Sequence, residues 1–376
     1  MIYLDHNATT PLDERVVEAM LPFLHRFYGN PSSLYRWGRL ARDAVEQARV
    51  QVATLAGAHP SQVIFTSGGT EANNLALKGW CDNNPGKAIA VSAIEHASVR
   101  ETAQALSRKS VPVHWLPVDS DGVVQVDALA ELPRSTLGLV SCMFANNETG
   151  VIQPLSKLVK IAAREGIACH TDAVQAVGRL PLRFHDLGVG MMSLSGHKIY
   201  GPKGVGALIV DQASTLAPLL NGGDQEYGLR GGTENVVGIV GFGKAAELAL
   251  AERASRVDRL AALRERLEAG LARLPGVIIF GRNAKRLPNT VQMTIPGMDG
   301  EMLVMALDRE KIAVSSGSAC ASGGSEPSHV LLAMGVEEAL AKGAIRISLG
   351  KDNTEQDVER FLSVLAGVVS AFGVGG

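Results

Sequence analysis

Between about Val16 and Gly243, short apolar runs alternate with amphipathic segments. Residues 62–67 (QVIFTS), 88–93 (AIAVSA), 137–145 (LGLVSCMFA), 166–172 (GIACHTD), 191–196 (MMSLSG) and 204–210 (GVGALIV) are nearly continuous in hydrophobicity. Runs of this length and character predict strands buried on both faces. Residues 71–80, 98–109 and 154–166 lie between them and predict helices. Strands alternating with helices in this way predict a mostly parallel sheet covered on both sides.

Two helical segments follow. ENVVGIVGFGKAAELALAERA has low polarity at its start, as a buried helix would, and RVDRLAALRERLEAGLARLPG sets Leu260, Leu263, Leu267 and Leu271 at helical spacing. The pattern then changes to GVIIF, NTVQMTI, EMLVMALDRE, KIAVSS, AIRISLG and a final helix from about Thr354, which predicts a smaller α+β unit. The expected division is a large domain over residues 15–251 and a small domain made of residues 1–14 and 252–376. With no repeat, low-complexity stretch or linker, the two should pack closely.

Composition narrows the function classes. The chain has 376 residues, 46% hydrophobic and 20% charged, with a formal net charge of -2 and its basic residues dispersed. Such a balance gives no electrostatic reason to expect nucleic acid or an anionic membrane as partner. Charges at Asp5, Asp13, Glu14 and Arg15 interrupt any signal-peptide core, and no uncharged stretch reaches the length of a membrane span. The expectation is a soluble cytoplasmic protein.

Four cysteines, none in a C-x-x-C pair, exclude a disulfide framework and a structural zinc site. Cys142 and Cys169 lie in apolar runs and are expected to be buried; Cys81 follows a helix. Cys320 is different, because SSGSACASGGSEPSHV surrounds it with Ser, Gly and Ala, poor company for a packing thiol.

Several polar clusters recur just past predicted strands. Lys198 lies in SLSGHKIYGPKGVG with Ser195 and His197 beside it. FTSGGTEANN runs from a strand through Gly69 and Thr70 into a helix start, a place where backbone N–H groups favour a phosphate. HTDAVQAVG puts Asp172 where open α/β sheets bind ligands, IEHASV offers His96, and ANNETG is a further polar cluster. Singly each has a bland alternative: a hairpin lysine, an ordinary helix start, an N-capping aspartate. Together a lysine, a carboxylate, a histidine and a phosphate cradle at one sheet edge are the parts needed to hold pyridoxal 5'-phosphate.

In sequence order, YLDHNATTP, GNPSS, FTSGGTEANN, EHASV, NNETG, HTDAVQAVG, SGHKIYGPKGVG, RGGTEN, SSGSACAS, EPSHVL and IRISLG run through nearly the whole chain. On these motifs the chain resembles the pyridoxal-phosphate-dependent cysteine desulfurases of the NifS/IscS type. The resemblance implies the fold type I, aspartate-aminotransferase-like architecture, a homodimer, and conversion of L-cysteine to L-alanine with sulfur left on the enzyme. It implies Lys198 as the lysine that bonds the cofactor, Ser195, His197 and Thr70, with the neighbouring Gly69, at its phosphate, and Asp172 and Gln175 at the ring nitrogen and hydroxyl. His96 is implied as the ring stacker, Asn147 as a neighbour of ring and substrate, and Arg346 as the partner of the substrate carboxylate. Thr233 is implied to reach the phosphate of the other subunit.

Within that resemblance, Cys320 is the thiol that takes sulfur as a persulfide, with Lys198 moving the Cα proton and His96 the protons at sulfur. Gly317, Gly323 and Gly324 supply backbone freedom around it, and Pro327 with Ser328 marks a helix start. The implied recipient is an acceptor protein of iron–sulfur cluster, thio-cofactor or tRNA biosynthesis. SSGSAC resembles the first group of the family, which sets a selenocysteine lyase below a desulfurase; a fold type I aminotransferase is the other alternative. LAGVVSAFGVGG ends the chain sooner than the IscS-type tail that docks a scaffold protein, so scaffold docking is not implied.

Overall fold

A computed structural model describes residues 1–317 and 326–371. Cys320, Gly323 and Gly324 lie outside the described residues. The strands in chain order are β1 (Ile2–Tyr3), β2 (Val63–Thr66), β3 (Ala88–Ser92), β4 (Val113–Leu116), β5 (Leu137–Ser141), β6 (Ala168–Asp172), β7 (Met191–Ser195), β8 (Gly206–Val210), β9 (Ile278–Ile279), β10 (Thr290–Thr294), β11 (Ile312–Ala313), β12 (Ser315–Ser316) and β13 (Ile345–Ser348).

The main sheet has seven strands in the order β2-β8-β7-β6-β5-β3-β4. Only β8 runs against its neighbours; the other strands share one direction. Residue-by-residue alternation explains why these strands read as unbroken apolar runs. In β3, Ala88 and Ala90 enter one hydrophobic cluster while Ile89 and Val91 enter another on the opposite face. The expected mostly parallel α/β sheet is therefore present.

A second, antiparallel sheet, β12-β13-β10-β9, packs its own cluster against the helices Gly300–Arg309 and Glu355–Ala371. β1 pairs in parallel with β11, which ties the start of the chain to the smaller unit.

Three features depart from the sequence reading. The two expected helical segments are one helix, Val236–Leu271. Between them the residues AERASRVD include neither Gly nor Pro, so nothing interrupts backbone hydrogen bonding. Its buried residues up to Ala249 join the main-sheet cluster, and those from Leu260 join the smaller one. Strand β4 was not expected; it lies at the sheet edge with Trp115 exposed, so its apolar signal is weak. Two helices, Glu14–His25 and Arg36–Ala56, precede the first large-sheet strand. The second ends at Gly57, whose φ of 64° is the left-handed conformation of a helix C-cap.

Candidate active site

The strands β2, β3, β5, β6 and β7 end on the same edge of the sheet, and the chain carries its polar clusters out of those ends. There lies a cavity of about 290 Å³ lined by Gly69, Thr70, His96, Asn147, Asp172, Gln175, Ser195, His197, Lys198 and Arg346. Asn7, Ala8, Asn73, Ser98, Met143, Ala145 and Val174 complete the wall. Most of these residues meet because they follow main-sheet strand ends at the same edge, while Asn7 and Ala8 come from the N-terminal segment and Arg346 from β13 of the second sheet.

The anion-binding part is built by the helix Gly69–Asn83. Its N-cap, Gly68, has no side chain to satisfy the first amides, so they are left for an incoming acceptor. A Cβ at Gly69 would stand 2.8 Å from Val174 Cγ2 and 3.6 Å from Ser195 Cβ, which sets Ser195 beside this helix start. The Ser195 hydroxyl is buried without a hydrogen-bond partner. His197 contacts Thr9 Oγ1 through Nδ1 at 3.1 Å, and burial, with Lys198 and Lys203 adding to it, lowers its pKa to about 4. It is a neutral imidazole at pH 7. An orphaned hydroxyl beside an uncapped helix N-terminus fits a phosphate. Glu71, in the same first turn, is paired with Arg230 at 3.0 Å and does not oppose that use.

Asp172 ends β6 and is buried. Its Oδ1 accepts the Val174 amide at 2.9 Å and its Oδ2 accepts Asn73 Nδ2 at 2.7 Å. Turns rather than a helix follow it, so it is not the N-cap that the simplest reading allowed. A fixed, buried carboxylate suits the protonated ring nitrogen of pyridoxal phosphate.

Asn73 also donates to Ser98 Oγ at 2.8 Å, and Ser98 contacts His96 Nδ1 at 2.8 Å. His96 caps the helix Ala97–Arg108 by accepting the Ser98 amide at Nδ1, 3.1 Å away. An amide can only donate, so the neutral ring carries its proton on Nε2. Burial lowers the His96 pKa, with Asp172 acting in the opposite sense.

Lys198 donates to the carbonyl of Asn7 and, at 2.7 Å, to that of Ala8. The same N-terminal segment holds the lysine turn through Thr10, whose N and Oγ1 donate to the His197 carbonyl at 3.0 and 2.9 Å. Arg346, on β13, is buried; it pairs with Asp5 at 2.8 Å and donates to the Asn147 carbonyl at 3.1 Å. Its Nε is buried without a partner, one donor left over for a carboxylate.

The flanks of the Cys320 segment are described. Gly317 is packed, its N–H donating to the Ala344 carbonyl at 2.8 Å and a Cβ there reaching 3.0 Å from Ala344 Cβ. It serves close approach rather than the freedom expected of it. Ser328 caps the helix His329–Ala333 and hydrogen-bonds to the buried Glu148, which also accepts Gln292 Nε2 at 3.1 Å. His329 reaches the Glu95 carbonyl at 2.9 Å.

Thr233 is exposed and stands apart, in a cleft with Ser67, Arg230 and Asn235. Cys81, Cys142 and Cys169 are buried, and burial raises all three thiols, Cys81 and Cys169 to about 12. None is a thiolate at neutral pH. Sequence reading assigned no role to Asn7, Ala8, Asn73 or Ser98. Asn7 and Ala8 contribute backbone carbonyls, which leave no mark in side-chain chemistry; Asn73 was detectable only as a polar residue on an inward helix face.

The Aminotransferase class-V model matches residues 2–361. Cysteine desulfurase IscS of Dictyoglomus turgidum is 45% identical over 371 residues, which covers 98% of this chain and 94% of the relative. A solved structure described as a NifS-like protein superposes with a TM-score of 0.92 at 40% identity, covering 98% of this chain and 99% of that one. A second, described as SspA in complex with cysteine, gives 0.83 at 33% identity, with coverage of 94% and 100%. The motifs, the fold and these likenesses agree: the chain belongs to the aminotransferase class-V family, among its pyridoxal-phosphate-dependent cysteine desulfurases.

Proposed function

We propose that this cavity converts L-cysteine to L-alanine and passes the sulfur to Cys320, which becomes a persulfide. The balance is one thiol and one cysteine giving one persulfide and one alanine, with no outside oxidant or reductant. The observation that carries the reading is the meeting, in one cavity, of Lys198, the fixed carboxylate of Asp172 and the orphaned Ser195 hydroxyl beside an uncapped helix start.

Pyridoxal phosphate, when bound, supplies an electron sink conjugated to the substrate Cα. Asp172 keeps the ring nitrogen protonated, and Ser195, His197, Thr70 and the amides from Gly69 hold the phosphate. Lys198 would be the amine that holds the cofactor and the group that moves the substrate Cα proton. Gln175 and Asn147 serve the ring hydroxyl, and Arg346 takes the substrate carboxylate by using its unpaired Nε and exchanging Asp5. His96, neutral with its proton on Nε2, would stack on the ring and move the proton between Cys320 and the substrate sulfur. The Cys320 thiolate attacks the substrate sulfur, because thiol-to-thiol transfer needs a thiolate with access.

The cleft holding the exposed Thr233, and exposed Tyr28, Leu34, Tyr35 and Trp37 nearby in sequence to one another, support a homodimer in which Thr233 completes the partner's phosphate site. An acceptor protein would then unload the sulfur. No helix of the described residues is long and apolar enough to cross a membrane.

Mass spectrometry after exposure to cysteine tests the reading. One added sulfur on the peptide containing Cys320, with alanine formed in equal amount, is the expected result. Pyruvate and ammonia, a keto acid, or full alanine production by Cys320→Ser would overturn it.

A further inference from the structure

Arg179 is buried beside the cavity, and among the described residues no carboxylate pairs with it. A buried cation without an acid is costly, so its contacts need another reason. Its Nη1 donates to the Gln175 carbonyl at 2.9 Å and to Gln175 Oε1 at 2.6 Å, and its Nη2 to the His6 carbonyl at 3.4 Å. The other end of the same amide, Gln175 Nε2, donates to the Asn7 carbonyl at 2.9 Å. That carbonyl also receives Lys198 Nζ.

We infer that Arg179 is a positioning residue of the cofactor site: it fixes the Gln175 amide so that its NH2 group, not its oxygen, lies on the Lys198 side. A guanidinium only donates and a carbonyl only accepts. Rotating the amide by half a turn would set donor against donor at Arg179 and acceptor against acceptor at Asn7. One orientation satisfies both ends, and it leaves the second Nε2 hydrogen for the cavity that Gln175 lines. Such a donor favours an anionic ring oxygen over a neutral hydroxyl.

This rests on the reading of Gln175 as the partner of the ring hydroxyl, and the experiment separates the two. Apo-protein is titrated with pyridoxal phosphate at one fixed pH, following the dissociation constant and the visible spectrum. The set is Arg179→Met, Arg179→Lys, Gln175→Ala and the Met and Lys changes combined with Gln175→Ala. Losing the hydrogen bond that orders the amide should weaken cofactor binding about tenfold in Arg179→Met and shift the visible band. Arg179→Lys, which keeps charge but not the fork, should lose about threefold. On the Gln175→Ala background either change should add nothing.

A lower melting temperature of the apo-protein with unchanged cofactor affinity and spectrum would reduce Arg179 to a structural role and overturn the inference. So would a full loss persisting on the Gln175→Ala background. If Gln175→Ala alone leaves binding and spectrum unchanged, both the inference and the reading of Gln175 fail. Should Arg179→Met not fold, Arg179→Lys on the two backgrounds carries the same comparison.

Discussion

Lys198 and Asp172 show how much a single residue discloses through its type and its place in the chain. Each brings a side-chain chemistry with few uses past the end of a buried strand, and the cavity unites them. Asn7 and Ala8 were illegible because they act through carbonyls, and Arg179 because a lone arginine in a sequence does not reveal that it will lack an acid. Lys198→Ala should abolish the visible absorbance of the bound cofactor and all alanine production, read by spectrophotometry and amino-acid analysis. Asn73→Leu removes one of the two hydrogen bonds that hold Asp172. A charge-assisted bond of this kind is worth about 1.5–3 kcal/mol. Activity should fall about tenfold or more, and kcat should fall more than KM rises, which steady-state kinetics checks.

Among elements, the strands were legible because burial on both faces leaves an unbroken apolar run, whereas β4 at the edge does not. The helix Val236–Leu271 was misread as two because the change of packing partner, from the main-sheet cluster to the smaller one, alters the hydrophobic pattern without breaking the backbone. Ala254 lies in the middle of it and is exposed. Ala254→Pro should therefore destabilise the protein by about 3 kcal/mol or more, read from urea unfolding. A tolerated proline would show a break in the helix there. The helix Gly69–Asn83 makes the complementary point at its N-terminus: Gly69→Val should clash with Val174 and weaken cofactor affinity while leaving far-UV circular dichroism unchanged.

For the whole molecule, burial governs the response to acid. It holds His6 and His197 at about 4 and His170 at about 3, so each is neutral when folded and takes up a proton on unfolding below its ordinary pKa. Their contribution is present above about pH 6.5 and is lost as the pH falls. Glu95, raised to about 8, and Glu148, also raised, act in the opposite direction, because folding favours their protonated forms. His96, lowered by burial as well, makes four histidines against two carboxylates, a net loss on acidification. Between about pH 6.5 and 4.5 apo-protein stability should fall by about 1.4 kcal/mol per pH unit for each uncompensated proton. Urea midpoints across that range check it; a rising midpoint would contradict the assignment. We propose dividing the chain into residues 15–251 and residues 1–14 with 252–376, a division that follows the two clusters along the shared helix, although Phe280, Val330, Leu331, Met334, Ala341 and Ala344 pack with the first cluster.

The burial of Cys81, Cys142 and Cys169 has a consequence for stoichiometry. With those three thiols withheld, sulfur on Cys320 has no internal site to migrate to, and under the proposed chemistry each chain is a store with one place. In the absence of an acceptor or a small thiol, alanine should appear as a burst of one equivalent per chain and then stop. The steady rate would thereafter measure unloading alone, so the identity of the best acceptor could be read from kinetics by asking which candidate restarts the reaction fastest.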